Sequence, residues 1–279
     1  MLAVLLALTA SLSWGSSDWI AGVWTRRTSL AGVIVVSQIV GLMLTGALAA
    51  VNGHGLPGVD VALPGILAGL CSVVAIASFY QGLAIGIMSI VAPISATGVI
   101  IPLIVGLASG ERPSVTQAVG MGVAVAGVVL ASSERSAGDR PAPSRLSVGL
   151  ALLAAAAIGT AYVCMAKAAT HDPAWGVFTL RCTSAVVFAA IILARRPALH
   201  LTLASIPVLA IVGLGDNVAN TLFSLASTHG YLSVVAVLGY VYPAFTVLLA
   251  HLFSGERLAG WQLVGAGAAL AGAAAIAVG

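Results

Sequence analysis

Charged side chains are scarce in this sequence: eight acidic and eleven basic residues stand among 279. They make up 7% of the chain, against about 25% in an ordinary soluble domain. Because 60% of the residues are hydrophobic, a water-facing surface cannot be assembled, and we expect a polytopic membrane protein lying in a lipid bilayer. So few basic side chains cannot form a phosphate-binding surface, so no nucleic-acid partner is expected.

Several functional motifs are missing as well. The sequence has no His-Glu-x-x-His motif, no Walker phosphate-binding loop and no Cys/His spacing of a metal site. We therefore expect no cofactor, and any active transport must be driven by an ion or solute gradient. The three cysteines lie in apolar segments, which argues against a disulfide framework. No basic residues precede the first apolar run, which we interpret as a retained span rather than a signal peptide.

Long apolar runs fill most of the sequence. A helix needs roughly 20 apolar residues to cross about 30 Å of hydrocarbon, and glycine, proline and charge clusters divide the chain into ten such runs. Helices are expected because an unpaired backbone is too costly in lipid. The fold class is therefore all-α, a polytopic membrane protein with ten transmembrane helices. The predicted spans are 3–24, 29–51, 62–83, 88–109, 114–132, 147–169, 174–194, 203–226, 231–253 and 260–278.

Two similar phrases stand 145 residues apart, SGERPSVTQAVGMG from Ser109 and SGERLAGWQLVGAG from Ser254. An offset of 144 residues also pairs glycines and a phenylalanine through the preceding spans, and a constant offset through five spans indicates a duplication. The predicted units are a first five-helix repeat at 1–132, a linker at 133–146 and a second five-helix repeat at 147–279.

The repeat unit contains an odd number of spans, so its second copy must cross the membrane upside down. Arg112 and Arg257 are therefore expected on opposite sides, while both termini lie on one side. Inverted repeats give a protein two pseudo-equivalent conformations, which is the physical basis of alternating access. Which side the termini face stays open: the loop arginines favour extracytoplasmic termini, but inverted halves can give a weak or conflicting charge bias.

Parts of both halves resemble a known family. MSIVAPISATGVIIPLIVGLASGERPSVTQAVGMGVAVAGVVL and LSVVAVLGYVYPAFTVLLAHLFSGERLAGWQLVGAGAALAGAAAI resemble the ends of the two EamA-type repeats of the drug/metabolite transporter superfamily. LSWGSSDW and LRCTSAVVFAAIILARRP resemble that family's first and seventh helices. The resemblance covers essentially the whole chain, and the Gly-Glu-Arg turn is its most specific element. It implies a ten-helix carrier of two inverted repeats that moves small organic solutes.

Three charged residues stand out well inside the predicted spans. Asp18 lies in the first span, Arg181 in the seventh and Asp216 near the midpoint of the eighth. A charge near the bilayer centre costs at least about 2.5–3.5 kcal/mol, so each needs a partner or a role. Asp216 and Arg181 form either a structural ion pair or part of a substrate or proton site, and a pair that breaks during transport would do both. Asp18 either lines the pathway or reaches interfacial water.

The eighth span carries a polar stripe. Gly213, Asn217, Asn220 and Ser224 share one helical face, with Asp216 beside it. Facing lipid, that stripe would leave amides unpaired, so it faces protein or a watery cavity. The 144-residue offset pairs Asp216 and Asn217 with Ser72 and Val73. This asymmetry favours a substrate site over helix–helix hydrogen bonding.

Other residues complete the predicted substrate site, each with packing as its alternative role: Trp14, Tyr80, Gln81, Tyr240 and Tyr242. We expect a central cavity bounded by spans 1, 3, 7, 8 and 9. Spans 5 and 10 are expected outside it, since their small-xxx-small patterns Gly122/Ala126 and Gly267/Ala271 suit close packing, within the chain or between subunits. Pro93, Pro102 and Pro243 are expected to bend spans 4 and 9.

The leading functional hypothesis is a secondary active transporter in the cell (inner or plasma) membrane, exporting small organic metabolites such as amino acids, with protons as a candidate coupling ion. A monomer is favoured. The competing hypotheses are an intramembrane enzyme acting on a lipid-linked substrate and a passive channel. An enzyme would need paired acids or a nucleophile–base pair at membrane depth, and a channel would need a polar ring from many helices.

Overall fold

The computed structural model describes residues 1–24, 28–52, 55–85, 88–133, 144–255 and 259–279. Within these ranges every regular element is helical, which confirms the predicted fold class. The α-helices are α1 (Leu2–Trp24), α2 (Leu30–Val51), α3 (Val59–Ile85), α4 (Met88–Ala96), α5 (Ile100–Ala108), α6 (Val115–Ala131), α7 (Arg145–Ala169), α8 (Pro173–Arg195), α9 (Ser205–His229), α10 (Leu232–Gly239), α11 (Tyr242–Ser254) and α12 (Gly260–Val278).

Among the described residues, eight helical segments are long and apolar enough to cross a membrane. Two of these combine short helices end to end: Ile90–Ala108 joins α4 to α5, and Leu232–Ser254 joins α10 to α11. Of the two remaining predicted spans, α6 is apolar but has 17 residues. The other, α1, is diluted by the polar run Ser11–Trp19. The order and approximate bounds of the ten predicted spans are thus recovered.

The fourth and ninth spans are each interrupted at the same place in the repeat. A 3₁₀ turn at Thr97–Val99 separates α4 from α5, and Tyr240 and Val241 separate α10 from α11. Pro243 lies in the first turn of α11, where its missing N–H costs no intrahelical hydrogen bond. The predicted bends are therefore breaks, and each divides one span into two short helices.

Glycine contacts establish that the repeats are inverted. A Cβ on Gly120, early in α6, would lie 2.8 Å from the carbonyl oxygen of Gly272, late in α12. A Cβ on Gly127, late in α6, would meet backbone atoms of Gly265 and Ala269, earlier in α12. The two equivalent helices therefore run antiparallel, with no room for side chains between their backbones. Antiparallel packing of equivalent helices requires one repeat to be upside down relative to the other.

The other helix contacts also correspond between the two repeats. Helix α3 packs on α7, and its counterpart α9 packs on α1; α3 also contacts α8, as α9 contacts α2.

Gly279 lies beside Thr116 and Gln117, while Met1 and Gln117 border one surface depression. Both termini therefore lie on the same side, as predicted, and we call this the termini side. The loop that carries Arg112 is on this side, whereas Arg257 lies outside the described residues.

Two expectations about particular segments need correction. The predicted pairs do not form the contact between α6 and α12, because Gly122, Ala126, Gly267 and Ala271 are exposed on the outer face. Their alternative role, packing between subunits, stays a prediction. The contact uses the neighbouring set Gly120, Gly127, Gly265 and Gly272 instead, since the helical phase turns those residues toward the partner helix. The end of the predicted linker is also helical: α7 begins at Arg145, where the Ser144 hydroxyl accepts the Ser147 N–H.

Candidate functional site

The breaks of the fourth and ninth spans meet in the interior of the protein, where Val99 and Tyr240 are buried. A Cβ on Gly98, in the first break, would lie 2.5 Å from the hydroxyl oxygen of Tyr240, in the second. It would also lie 2.5 Å from the carbonyl oxygen of Ala155 in α7. Glycine at this position therefore allows the two breaks and α7 to pack without intervening side chains.

The two sides of these breaks differ. On the termini side, α5 packs directly against α10. The equivalent pair on the other side, α4 and α11, makes no comparable contact among the described residues. A cavity of about 270 Å³ lies between α4 and α11 instead. Ser132 and Gln262, at the far ends of α6 and α12, also line it, so the cavity occupies the half of the protein away from the termini.

Asp18 lines this cavity with Tyr242 and Thr246 of α11. Its side chain has no hydrogen bond or salt bridge to any other described residue, and it is exposed although it lies within a span. The remaining walls are mostly apolar and include Phe79, Ala92, Ala96, Ile158 and Val247. No Lys, Arg or His lines the cavity among the described residues, and Asp18 is the only charged residue of this described lining. The space therefore holds one carboxyl group among mostly apolar walls.

The position of the cavity differs from the expected one. We expected spans 7 and 8, now α8 and α9, to line it and spans 5 and 10, now α6 and α12, to lie outside. In the structure, residues of α6, α7 and α12 line it and none from α8 or α9 do. The gap arises between the separated helices α4 and α11, and those helices are neighbours of α6 and α12 rather than of α8.

An aromatic cluster adjoins the cavity. Tyr162 of α7 is its centre: its ring lies 4.7 Å from the ring of Phe223 and 5.2 Å from that of Tyr240. Trp14 lies 5.5 Å from Tyr162 and 6.2 Å from Tyr242. Tyr240 is 2% exposed, and its hydroxyl has no partner among the described residues. Trp14, Tyr240 and Tyr242 are thus brought together, and Tyr242 connects the cluster to the cavity.

Arg181 and Asp216 form a separate polar centre. Arg181 Nη2 donates to Asp216 Oδ2 at 2.6 Å, and Nη1 donates to Gln38 Oε1 at 3.5 Å. Ser184 donates to the same Gln38 oxygen at 3.2 Å. The Arg181 side chain is 7% exposed and that of Asp216 is 36% exposed. The pair ties α8 to α9, and Gln38 adds α2.

The exposed part of Asp216 faces the protein interior. Ile211, Leu214 and Val218 mark the outer face of α9, and Asp216 lies on the opposite side of the helix. Gly215 packs against α1, because Ser13 donates to its carbonyl oxygen at 2.8 Å. Helix α9 also packs along the length of α1, the helix that carries Asp18. The two acids therefore lie on neighbouring helices, Asp18 at the cavity and Asp216 in the ion pair with Arg181.

The polar stripe of α9 faces protein, which was the alternative to the cavity that the repeat asymmetry favoured. Asn217 is fully buried, and its amide donates to the Gly213 carbonyl at 2.6 Å. Asn220 donates to the Asp216 carbonyl at 2.6 Å. Both amides thus bond to their own helix, and the Asn217 carbonyl oxygen has no partner among the described residues. Neither residue lines the cavity in this conformation.

Tyr80 and Gln81 are exposed at the end of α3, outside the cavity lining. Sequence reasoning missed Tyr162 and Gln38. The repeat could have identified Tyr162, because the 144-residue offset pairs this residue with Asp18 of the first repeat. Gln38 stands as an amide within an apolar run, the same signal that identified Asn217.

These features define a multi-pass helical membrane protein of two inverted repeats with an interior polar region. The EamA-like transporter family matches this chain twice, over residues 1–133 and 145–278. The chain belongs to this family, whose members are membrane transporters of the drug/metabolite transporter superfamily rather than enzymes. A crystal structure described only as that of a protein has the same fold, with a TM-score of 0.82 at 19% identity, over 99% of this chain and 96% of that chain. Comparison with curated proteins gave no match.

Proposed function

We propose that this protein is a secondary active transporter that exports small organic metabolites carrying an ammonium group, such as amino acids, across the cell membrane. The observation that carries the proposal is the cavity beside the separated helices α4 and α11, with Asp18 as its only described charged lining residue. A carboxylate in mostly apolar walls favours a cation, because an unpaired charge is costly at membrane depth. An apolar side chain on the solute would fit the remaining walls.

The packing supports alternating access. The helices α5 and α10 are together on the termini side while α4 and α11 are apart on the other. In inverted repeats, exchanging these two arrangements produces a conformation that opens to the opposite side. The central breaks supply the hinges, and α6 and α12 supply a packed support that does not need to change. Because the sequence has no nucleotide-binding motif, coupling falls to an ion gradient, and Asp18 and Asp216 are the candidate proton carriers.

Transport by purified protein in proteoliposomes tests this function. Three labelled solutes with the same apolar group differ in their charged groups. Phenylalanine has an ammonium and a carboxylate group, phenethylamine has only the ammonium group, and hydrocinnamate has only the carboxylate group. We expect the two ammonium compounds to be transported, hydrocinnamate to be excluded, and the flux to saturate and respond to a pH gradient. Non-saturable flux of all three would identify a passive channel, and transport of hydrocinnamate alone would contradict the role of the anionic cavity.

The Asp18→Asn variant sharpens the test. Removing the charge is expected to lower transport of phenethylamine by at least about tenfold, as for the loss of one charge-assisted contact. Asp60→Asn is the matched control, because it is the same substitution at an exposed residue in the first turn of α3. Unchanged transport by folded Asp18→Asn would remove this residue from the binding site.

A further inference from the structure

The carboxylate of Glu111 lies at the N-terminus of α10, on the termini side. Oε1 accepts the Leu232 N–H at 2.6 Å, and Oε2 accepts the Ser233 N–H at 2.9 Å and the Ser233 hydroxyl at 2.6 Å. The first N–H groups of a helix have no partner within it, and the helix dipole favours a negative charge there. Tyr231, the residue at the N-cap position of α10, provides no side-chain cap. Glu111 therefore caps this helix from a loop 121 residues away.

The chain around Glu111 is shaped for this contact. Its own N–H donates to the Gly106 carbonyl at 3.1 Å, which fixes the turn after α5, and Gly110 at φ +93° allows that turn. A Cβ on Gly106 would clash with the Glu111 carboxylate and lie 2.9 Å from the Ser233 nitrogen. The glycine thus lets α5, the carboxylate and α10 come together.

The contact joins the two repeats at the place where the protein is closed. Glu111 belongs to the first repeat and α10 to the second, and α10 is buried from Ser233 to Gly239. For the termini side to open, α5 must separate from α10, which removes three hydrogen bonds from one carboxylate. An ordinary cap within one helix would not be broken by such a movement.

We propose that Glu111 is a positioning residue that holds the termini side closed, and we call its contact with Leu232 and Ser233 the Glu111 latch. The inference rests on the alternating access in the proposed function but not on the identity of the solute. Weakening the latch shifts the resting protein toward the conformation that opens on the termini side. A cap with a merely structural role would change stability and leave the balance between the two conformations unaltered.

Cysteine accessibility measures that balance without any substrate. In full-length protein with Cys71, Cys164 and Cys182 replaced by Ala, one reporter is Val237→Cys, which lies one turn after Ser233 on the same face of α10 and is 1% exposed. The other is Thr246→Cys, in the cavity. Each reporter is labelled in proteoliposomes with a membrane-impermeant maleimide, applied from one side or the other.

With Glu111→Gln, we expect labelling of the Val237 reporter from the termini side to rise by about tenfold, the change for loss of one charge-assisted contact. Labelling of the Thr246 reporter from the opposite side is expected to fall. Arg112→Gln is the matched control, because it changes a charge at an exposed neighbouring position and should leave both rates unchanged. Should Glu111→Gln fail to fold, Ser233→Ala removes only the hydroxyl donor and is expected to produce a smaller shift in the same direction.

Two outcomes would overturn the latch. The first requires a parent protein that is labelled at Val237 from the termini side and at Thr246 from the opposite side. If the folded variants then have the same ratio of these two labelling rates as the parent, the contact is a structural cap only. If the parent protein is never labelled at Val237 from the termini side, the alternation itself fails and the latch fails with it. The first result leaves the proposed transport function intact, whereas the second contradicts it.

Discussion

The two halves of this molecule share their packing but not their chemistry. Gly120 and Gly127 of α6 meet their counterparts Gly265 and Gly272 of α12 in a contact that is the same from either side. By contrast, Arg181 corresponds to Ser37 in the first repeat. Contacts on a pseudo-symmetry axis constrain both copies at once, because each helix is the other's partner. Residues away from the axis are free to differ, and the polar chemistry is found there.

The termini side of the molecule and the opposite side also differ in how their helices are arranged. Equivalent short helices are packed together on the termini side, as α5 and α10, and separated on the other side, as α4 and α11. Nearly equivalent sequences thus occupy two arrangements within one molecule. Under the proposed alternating access, local contacts such as the Glu111 latch contribute to the choice between the two arrangements.

The largest effect is expected at the shared packing. Gly127→Leu places a side chain against the backbone of Ala269, and Gly272→Leu does the same against Ala124. Each substitution should destabilise the protein by roughly 3 kcal/mol or more, since backbone must move to relieve the overlap. The measurement is the yield of monodisperse protein in detergent and its thermal midpoint. The outward-facing Gly122→Leu is the matched control and should behave like the parent protein. Different outcomes for Gly127 and Gly272 would break the symmetry of the scaffold.

An intermediate effect is expected at the ion pair of the second half. Asp216→Asn leaves the buried Arg181 without its counter-charge, which we expect to cost on the order of 2 kcal/mol, less than for a fully buried pair because Asp216 is 36% exposed. Thermal stability and transport are measured together. Recovery of both by the charge-swapped pair would make the pair structural. A folded Asp216→Asn protein that does not transport would instead give this carboxylate a role in transport.

The smallest effect on stability is expected at Tyr240. Its hydroxyl is buried without a partner among the described residues, so Tyr240→Phe should change stability by about 1 kcal/mol or less and is expected to be neutral or slightly stabilising. Transport in proteoliposomes provides the second measurement. Normal stability with reduced transport would show that the hydroxyl contacts the solute during the cycle, and normal values of both would assign Tyr240 to packing.

Several features could be predicted from the sequence because each depends on local composition or on a constant offset. The spans follow from apolar length, the inversion from the odd repeat, and the inward direction of Asn217 from the cost of an amide in lipid. The site was predicted less completely. Asp18, Tyr242 and Trp14 were named, but nothing in the sequence distinguished the free carboxylate of Asp18 from the paired one of Asp216.

The sequence by itself determined the class of protein, its repeats and the polar residues that need partners, because hydropathy and periodicity are properties of the chain alone. Tertiary structure decided which of those residues meet. The phase of α6 and α12 selected one glycine set over its neighbour, and the separation of α4 from α11 put the cavity beside Asp18 rather than beside Asp216. Both outcomes depend on how helices distant in sequence approach each other. That geometry is fixed by side-chain packing across the whole molecule, which no single segment encodes.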